Sequence, residues 1–184
     1  MESISKLFGG LKIDGYYAIP MDEIPKLNHS VGGVTVTLLE DFQDIDRQMK
    51  KGETLALSDE QAYHYIHDRY GVGDEKNTSR MKRQQQYMEA FFTKAKEKAK
   101  SDKAYVSQLF RKFEQTATTN LTAKKISGLT NRLIKGTQKG FFEIQGTSKI
   151  GKALGDGIDH AEFYPDKKSI IDVMTKIYGL KKRE

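Results

Sequence analysis

The densest group of chemically reactive side chains lies near the C-terminal end of the sequence. Seven residues there contain three carboxylates and one imidazole, those of Asp156, Asp159, Glu162 and His160. Carboxylates at this density can bind Mg²⁺ or Ca²⁺, and a metal-bound water can attack a phosphodiester. His160 would then be the general acid or base near neutral pH. Aspartate and glycine are also common in turns, so a simple loop is the alternative interpretation.

A pair of histidines is the second candidate for chemistry. His64 and His67 are three residues apart in a segment that we predict to be helical, so their rings can share a face and a metal ion. The alternative is that both rings are polar surface or packing residues among the tyrosines of the same segment. We predict no organic cofactor, and a divalent metal is the one cofactor that these two clusters allow.

Other catalytic chemistries are excluded by the residues that the sequence lacks. It contains no cysteine, which rules out disulfides, thiolate catalysis and cysteine-based metal sites. The glycine-rich run 146–155 is similar to a phosphate-binding loop, but Ala153 follows Lys152 where such a loop needs Ser or Thr. The sequence therefore favours a protein that is not an enzyme, without deciding the question.

The charged residues are distributed unevenly along the chain. Residues 1–75 contain 7 Lys or Arg and 14 Asp or Glu, a net charge of −7, whereas residues 76–139 contain 16 and 4, a net charge of +12. A block this basic predicts an anionic partner, most simply nucleic acid. The alternatives are the acidic N-terminal third of the same chain, a second copy or another acidic protein surface, and an anionic membrane surface.

One predicted helix within the basic block separates its cations cleanly from its apolar residues. Helical geometry places its cations within an arc of about 100°, and the segment 121–136 contains no acidic residue. An ordinary solvated face usually mixes both signs, so we predict a polyanion-binding face supported by cations of the 79–100 helix. The predicted nucleic-acid-binding residues are Lys124, Lys125, Asn131, Arg132 and Lys135, with Lys82, Arg83, Lys96 and Lys100.

The elements that position these residues are predicted to be mostly helical. The run 34–39 alternates β-branched residues and predicts a strand, and Ser58 followed by Gln61 predicts a helix start. Hydrophobic periodicity predicts helices over 41–49, 59–70, 79–100, 102–118, 121–136 and 169–178. A second strand is predicted over 141–145. In the 79–100 helix the predicted apolar stripe consists of Met81, Met88, Phe92, Ala95 and Ala99, with Phe91 at its edge.

These elements predict a mainly α protein with a minor α+β character: a basic helical bundle with a small N-terminal β element. We expect three regions. Residues 1–75 form an acidic region with a short strand and helices, and residues 76–139 form the basic helical bundle. Residues 140–184 form a glycine-rich loop and a C-terminal helix that packs on the bundle, so that the whole is one compact unit.

The predicted function is non-catalytic binding of a polyanion, most simply a nucleic acid, through counterion release and phosphate contacts. Two alternatives stay open. The first is a metal-assisted nuclease or a small toxin or effector that acts on nucleic acid. The second is a structural or interaction protein, a virion component or an adaptor, in which acidic and basic parts dock. The sequence shows no signal peptide and no transmembrane run, so we expect a cytoplasmic or virion-interior protein.

Overall fold

The computed structural model describes residues 2–137 and 139–179. The chain divides into two units, residues 15–139, here the central unit, and residues 1–14 with 140–184, here the terminal unit. The helices and strands of the described residues are α1 Glu2–Leu7, β1 Tyr17–Ala18, α2 Ile24–Val31, β2 Thr35–Thr37, β3 Thr54–Ala56, α3 Asp59–His67, α4 Asn77–Ser101, α5 Tyr105–Lys112, β4 Thr118–Thr119, α6 Ala123–Lys135, β5 Gly146–Gly151, β6 His160–Pro165 and α7 Lys167–Tyr178.

The strands form three separate antiparallel pairs rather than one sheet. β1 pairs with β4 and β2 with β3 in the central unit, and β5 pairs with β6 in the terminal unit. The strand predicted over 34–39 is confirmed as β2. The strand predicted over 141–145 is wrong, because the chain there is irregular and the following glycine-rich run forms the β5–β6 hairpin, in which Gly146 faces Pro165 and Gly151 faces His160.

The prediction of a mainly α, basic helical bundle is wrong. About 47% of the chain is helical, and the helices are combined with small sheets in a mixed α+β fold. α4 packs on α2, α3 and β2 of the acidic region as well as on α5 and α6. Helices of the basic block therefore share one core with the acidic segment that precedes them.

Local signals account for several helix ends. Ser58 and Gln61 form the predicted capping box at the start of α3, with Ser58 Oγ accepting from Gln61 N and Gln61 Oε1 accepting from Ser58 N. α2 is not among the predicted helices. Pro25 stands in its first turn, where the missing N–H removes no helical hydrogen bond.

The helix predicted over 41–49 is wrong, because that segment is a series of turns. Asp46 Oδ1 accepts from Gln48 N at 2.9 Å, and Asp46 Oδ2 accepts from Gln61 Nε2 at 2.6 Å. Asp41 Oδ1 accepts from Lys51 N at 2.8 Å. Aspartates that accept from nearby backbone N–H groups favour turns over helices, so the apolar period of this segment was misleading.

The buried face of α4 differs from the predicted stripe. The residues that face the core are four apart along the helix and are 4% exposed or less. Phe92, which the periodicity assigned to the core, is 41% exposed. The buried face is centred about 70° around the helix axis from the predicted stripe, with which it shares Ala95 and Ala99. The difference arises because the buried row begins with a charged residue that hydropathy counts as external. The buried row is Arg83, Tyr87, Phe91, Ala95 and Ala99.

Asn28 is a polar junction in the centre of the apolar core. Its side chain is completely buried. Asn28 Nδ2 donates to Leu57 O at 3.0 Å and to Asp59 Oδ1 at 2.9 Å. Asn28 Oδ1 accepts from Val34 N at 2.9 Å and from Tyr87 Oη at 3.3 Å. One amide therefore links α2, the start of β2, the β3–α3 connection and α4.

Among the residues that the structure describes, no helix has both the length and the apolar character needed to cross a membrane.

Substitution of Asn28 should be strongly destabilising. In Asn28→Leu the Val34 N–H, the Leu57 carbonyl and the Tyr87 hydroxyl lose their partner inside the core, and we expect a loss of about 3 kcal/mol in the free energy of unfolding. Urea unfolding followed by circular dichroism measures it. Asn131→Leu, on the exposed face of α6, is the matched control and should change stability by less than about 0.5 kcal/mol. Equal effects of both changes would contradict the role of Asn28.

Stability should also fall in alkali because of Tyr65. Burial raises the pKa of Tyr65 to about 12, from an ordinary value of 10.0. The neutral phenol is thus favoured by folding, and its contribution is complete below pH 10 and lost as the pH rises towards 12. Urea unfolding at intervals from pH 8 to pH 12 should show a steeper decline for the wild type than for Tyr65→Phe. Tyr70→Phe, which alters a 73% exposed ring, should decline like the wild type.

Candidate active site

Arg83 is a fully buried cation at the start of the core-facing row of α4. Its side chain is 1% exposed. Arg83 Nη1 donates to Tyr65 O at 2.8 Å and Nη2 donates to Asp68 O at 2.5 Å, so it holds the last carbonyls of α3. Arg83 Nε lies 3.0 Å from Glu40 Oε2. Burial lowers the pKa of Arg83, and the Glu40 carboxylate opposes that shift.

The residues that follow Arg83 continue the same attachment. Gln84 Nε2 donates to Ile66 O at 3.0 Å, and Gln86 Nε2 donates to Thr37 O at 2.9 Å. Tyr65 Oη donates to Gln86 Oε1 at 2.5 Å and accepts from Leu39 N at 3.3 Å. The first turns of α4 therefore fix the end of α3 and the chain that leaves β2.

Glu40 also contacts the loop between α3 and α4. Its side chain is 13% exposed, and it packs against Gly73, which has a φ of 57°. A Cβ atom at position 73 would overlap the Glu40 carboxylate. A glycine is needed here for close approach as well as for its backbone conformation. Loops 39–45 and 71–79 are thereby held next to each other.

A cavity of 680 Å³ lies between these two loops and is called the acidic cavity below. It is within the size range of small-molecule sites. Four carboxylates line it, and Lys51 is its one cation among the described residues. The lining carboxylates are those of Glu40, Asp41, Asp44 and Asp74.

The carboxylates of the acidic cavity differ in their hydrogen bonds. Asp74 Oδ1 accepts from Ser79 Oγ at 2.5 Å and from Lys76 N at 3.0 Å, and these bonds lower the pKa of Asp74. Asp74 therefore stays ionised well below neutral pH. Asp41 accepts the backbone N–H of Lys51. Asp44 is exposed, and within the described ranges its carboxylate has no protein partner, which leaves it available to a ligand.

The arrangement can bind a polar molecule and accept a proton from it. An ionised carboxylate within hydrogen-bond reach of a hydroxyl can act as a general base. The Lys51 ammonium is positioned on the wall of the same cavity and can attract an anionic group. The cavity thus combines acidic groups that can accept a proton with one cation that can attract an anion.

The predicted histidine pair lies beside this region but faces Asp68. His64 Nδ1 lies 2.7 Å from Asp68 Oδ2, and His67 Nδ1 lies 2.9 Å from Asp68 Oδ1. The His67 ring is stacked on Tyr63 with ring centroids 4.7 Å apart. Across residues 2–137 and 139–179, no group of three or more His, Asp or Glu is arranged to hold a metal ion.

The predicted acidic cluster of the C-terminal part lies in the terminal unit, at the end of the β5–β6 hairpin. His160 Nε2 lies 2.8 Å from Asp156 Oδ2, while Asp156 Oδ1 accepts from Ile158 N at 3.0 Å. Glu162 Oε1 accepts from Ala153 N at 2.5 Å. Asp159 Oδ1 lies 3.7 Å from the Lys152 ammonium. These contacts join side chains and backbone groups within the turn of the hairpin.

The predicted nucleic-acid-binding residues are distributed over different environments. Arg83 cannot form part of a binding surface, because its side chain is buried, where it pairs with Glu40 and donates to two backbone carbonyls. Lys96 is half-buried, and its Nζ donates to Gly136 O at the end of α6. The remaining residues are exposed: Lys82, Lys100, Lys124, Lys125, Asn131, Arg132 and Lys135.

The residues of the acidic cavity were missed by the sequence analysis. The cavity is formed by two segments, 39–45 and 71–79, which are about 30 residues apart in the sequence. Most of the first segment falls in the wrongly predicted helix 41–49. A signal existed in the polar run 83–86, which interrupts an otherwise amphipathic helix and which hydropathy treats as solvent-facing.

Residues 1–177 match the family model described as LytR_cpsA_psr. The chain belongs to the LytR-CpsA-Psr family. A comparison with curated protein sequences finds no match.

Solved structures show the same fold. The Lin1025 protein of Listeria innocua aligns with a TM-score of 0.70 and 20% identity, over 97% of this chain and 71% of that one. TagV of B. subtilis aligns with a TM-score of 0.70 and 21% identity, over 95% and 66%. TagU of B. subtilis aligns with a TM-score of 0.60 and 18% identity, over 100% and 71%. The chain spans about two thirds of the length of these neighbours.

Membership of the LytR-CpsA-Psr family overturns the predicted function. Members of this family are cell-wall polymer transferases that act on cell-wall polysaccharide and peptidoglycan. The predictions of nucleic-acid binding, of a nuclease and of a virion component are therefore wrong. Net charge misled the prediction, because several cations of the basic block bind backbone carbonyls or a buried carboxylate of the same chain.

The Arg83–Glu40 pair should be strongly coupled. Arg83→Met leaves Glu40 and two carbonyls buried without their partner, and we expect a loss of about 3–5 kcal/mol in the free energy of unfolding. The double variant Glu40→Leu/Arg83→Met should lose less than the sum of the single changes, by about 1 kcal/mol or more. Urea unfolding of the four proteins measures this. Arg111→Met, at an exposed cation of α5, is the control, and strict additivity would contradict the pairing.

Proposed function

We propose that the central unit transfers a cell-wall polymer onto an acceptor hydroxyl, and that the acidic cavity is where the transfer occurs. The observation that carries the proposal is the family match over residues 1–177, in a chain whose cavity of 680 Å³ is lined by ionisable groups. The activity of the family supplies the reaction class. The geometry supplies the residues.

The transfer forms a bond between the acceptor oxygen and the polymer, and it breaks the bond between the polymer and its leaving group. The acceptor hydroxyl must lose its proton as its oxygen forms the new bond. In this proposal Asp44, whose carboxylate is free to contact a ligand, accepts that proton. Lys51 attracts the negative charge of the polymer or of its leaving group.

Asp74 contributes in a different way. Ser79 Oγ and Lys76 N donate to its carboxylate and hold it in place. In this proposal Asp74 therefore acts as a fixed negative charge and not as the group that accepts the proton. In this proposal Asp74 orients the acceptor by accepting a hydrogen bond from one of its hydroxyl groups. Fixed groups on a rigid frame favour transfer because they reduce the loss of freedom in the reacting complex.

Removal of either charge should reduce transfer without loss of folding. Asp44→Asn cannot accept the proton, and we expect the rate of transfer to fall about 100-fold or more. Asp74→Asn retains an oxygen for Ser79 and Lys76 but loses the charge, and we expect a reduction of about tenfold or more. The assay incubates the protein with purified cell-wall sacculi and membranes charged with labelled wall polymer, and counts the label that becomes attached to the sacculi.

Glu89→Gln is the matched control for this assay. Glu89 is an exposed carboxylate on α4 outside the acidic cavity, so its removal should leave transfer unchanged. Thermal unfolding of each variant separates a loss of chemistry from a loss of fold. Full activity of Asp44→Asn and Asp74→Asn would reject the acidic cavity as the site of transfer. Absence of transfer by the wild type would reject the function.

A further inference from the structure

A second cavity of the central unit lies between the C-terminal half of α4 and the end of α6. Its volume is 480 Å³, again within the range of ligand sites. We call it the α4–α6 cavity. Its apolar wall is formed by Phe92 and Leu133. Phe92 is the aromatic residue that the sequence assigned to the core and that the structure leaves 41% exposed.

Three cations line the same cavity as this aromatic ring. Lys96 and Lys100 are four residues apart on α4, so they project from the same face, and Arg132 reaches the cavity from α6. Like charges at this spacing repel each other. Glu97 also lines the cavity, but it forms no ion pair with any of the three among the described residues. The cations therefore outnumber the carboxylates by three to one.

Most of the hydrogen-bond donors of these cations are unused. Lys96 Nζ donates to Gly136 O, which partly satisfies the end of α6. Lys100 and Arg132 have no protein acceptor for their side chains in the described ranges. Both lie in the last turn of a helix, where the dipole favours cations. The helix dipole alone could explain the two cations, but it does not explain why they line a cavity together with an exposed aromatic ring.

We infer that the α4–α6 cavity binds a phosphate-bearing unit of the wall polymer. The guanidinium of Arg132 matches two oxygens of a phosphate, and the Lys100 ammonium adds a point charge. The ring of Phe92 and the side chain of Leu133 provide the apolar contact for the carbon skeleton of the same unit. The cavity has room for about one such unit, so the rest of the polymer lies outside it. This inference rests on the proposed function for its choice of ligand.

If this inference holds, the protein selects wall polymers by their charge. A wall polymer with phosphodiester links would be retained, and a neutral glycan of equal length would not. Because the cavity lies within the same unit as the acidic cavity but shares no lining residue with it, binding and transfer can be measured separately.

The test is isothermal titration calorimetry of the full chain with a synthetic oligomer of glycerol phosphate, and with an uncharged N-acetylglucosamine oligomer of the same length. The double variant Lys100→Gln/Arg132→Gln should bind the phosphate oligomer at least about tenfold more weakly than the wild type. The control is Lys103→Gln/Lys124→Gln, which removes two exposed charges that do not line the cavity. It should bind within about twofold of the wild type.

Phe92→Ala distinguishes binding in a defined cavity from non-specific electrostatic attraction. It changes no charge, and because Phe92 is half exposed its removal should leave the fold intact. We expect several-fold weaker binding of the phosphate oligomer and a lower heat of binding. Equal weakening by both double variants would overturn the inference, because total charge would then explain binding. Unchanged binding by the cavity double variant, or preference for the neutral oligomer, would overturn it as well.

The proposed function can fail independently of this inference. A wild type that binds the phosphate oligomer through this cavity but transfers no polymer would keep the binding site and reject the transferase. A wild type that transfers polymer, with binding unaffected by Lys100→Gln/Arg132→Gln, would keep the transferase and reject this site.

Discussion

The buried guanidinium of Arg83 is the interaction on which the candidate site depends. A charge inside an apolar core is tolerated only when its hydrogen bonds and its countercharge are supplied by the protein. Two carbonyls of α3 and the Glu40 carboxylate supply them here. The Glu40 carboxylate and the carbonyls of Tyr65 and Asp68 belong to two separate segments of the chain, so one side chain joins the end of β2 to the end of α3. Loops 39–45 and 71–79 continue from these two ends. The acidic cavity is the space that remains between them.

The core supports this arrangement with a second polar junction at Asn28. Asn28 and Arg83 both attach α4 to the β2–β3 region and to α3, one through Tyr87 and the other directly. Apolar burial alone is non-directional and permits several packings of short helices and two-stranded sheets. The hydrogen bonds of Asn28 in α2 and of Arg83 in α4 are directional, so together they favour a single packing of these elements. This explains how a central unit with two two-stranded sheets can hold its loops in a defined position.

Local features of the fold could be predicted from the sequence, whereas the face that each helix buries could not. The capping pair Ser58 and Gln61, strand β2 and the approximate positions of α4, α6 and α7 follow from short-range patterns. The core face of α4 was missed, because Arg83 begins it and hydropathy places arginine outside. The acidic cavity was missed for the same reason: its loops meet only when Arg83 is buried. Helix α2 was missed because the prolines and glycines of residues 1–30 indicate irregular structure, whereas Pro25 stands in the first turn of the helix.

The net charge of +12 over residues 76–139 was a poor guide to function because cations in this region serve different purposes. Arg83 stabilises the core, Lys94 Nζ donates to Gly33 O at 2.5 Å, and Lys96 closes the end of α6. Such cations add to a charge total without attracting any ligand. A cation informs about a ligand only when its donors are unused and it faces a cavity with other groups suited to binding. Lys100 and Arg132 meet that condition beside Phe92, and it is their setting rather than the sum of charges that argues for an anionic partner.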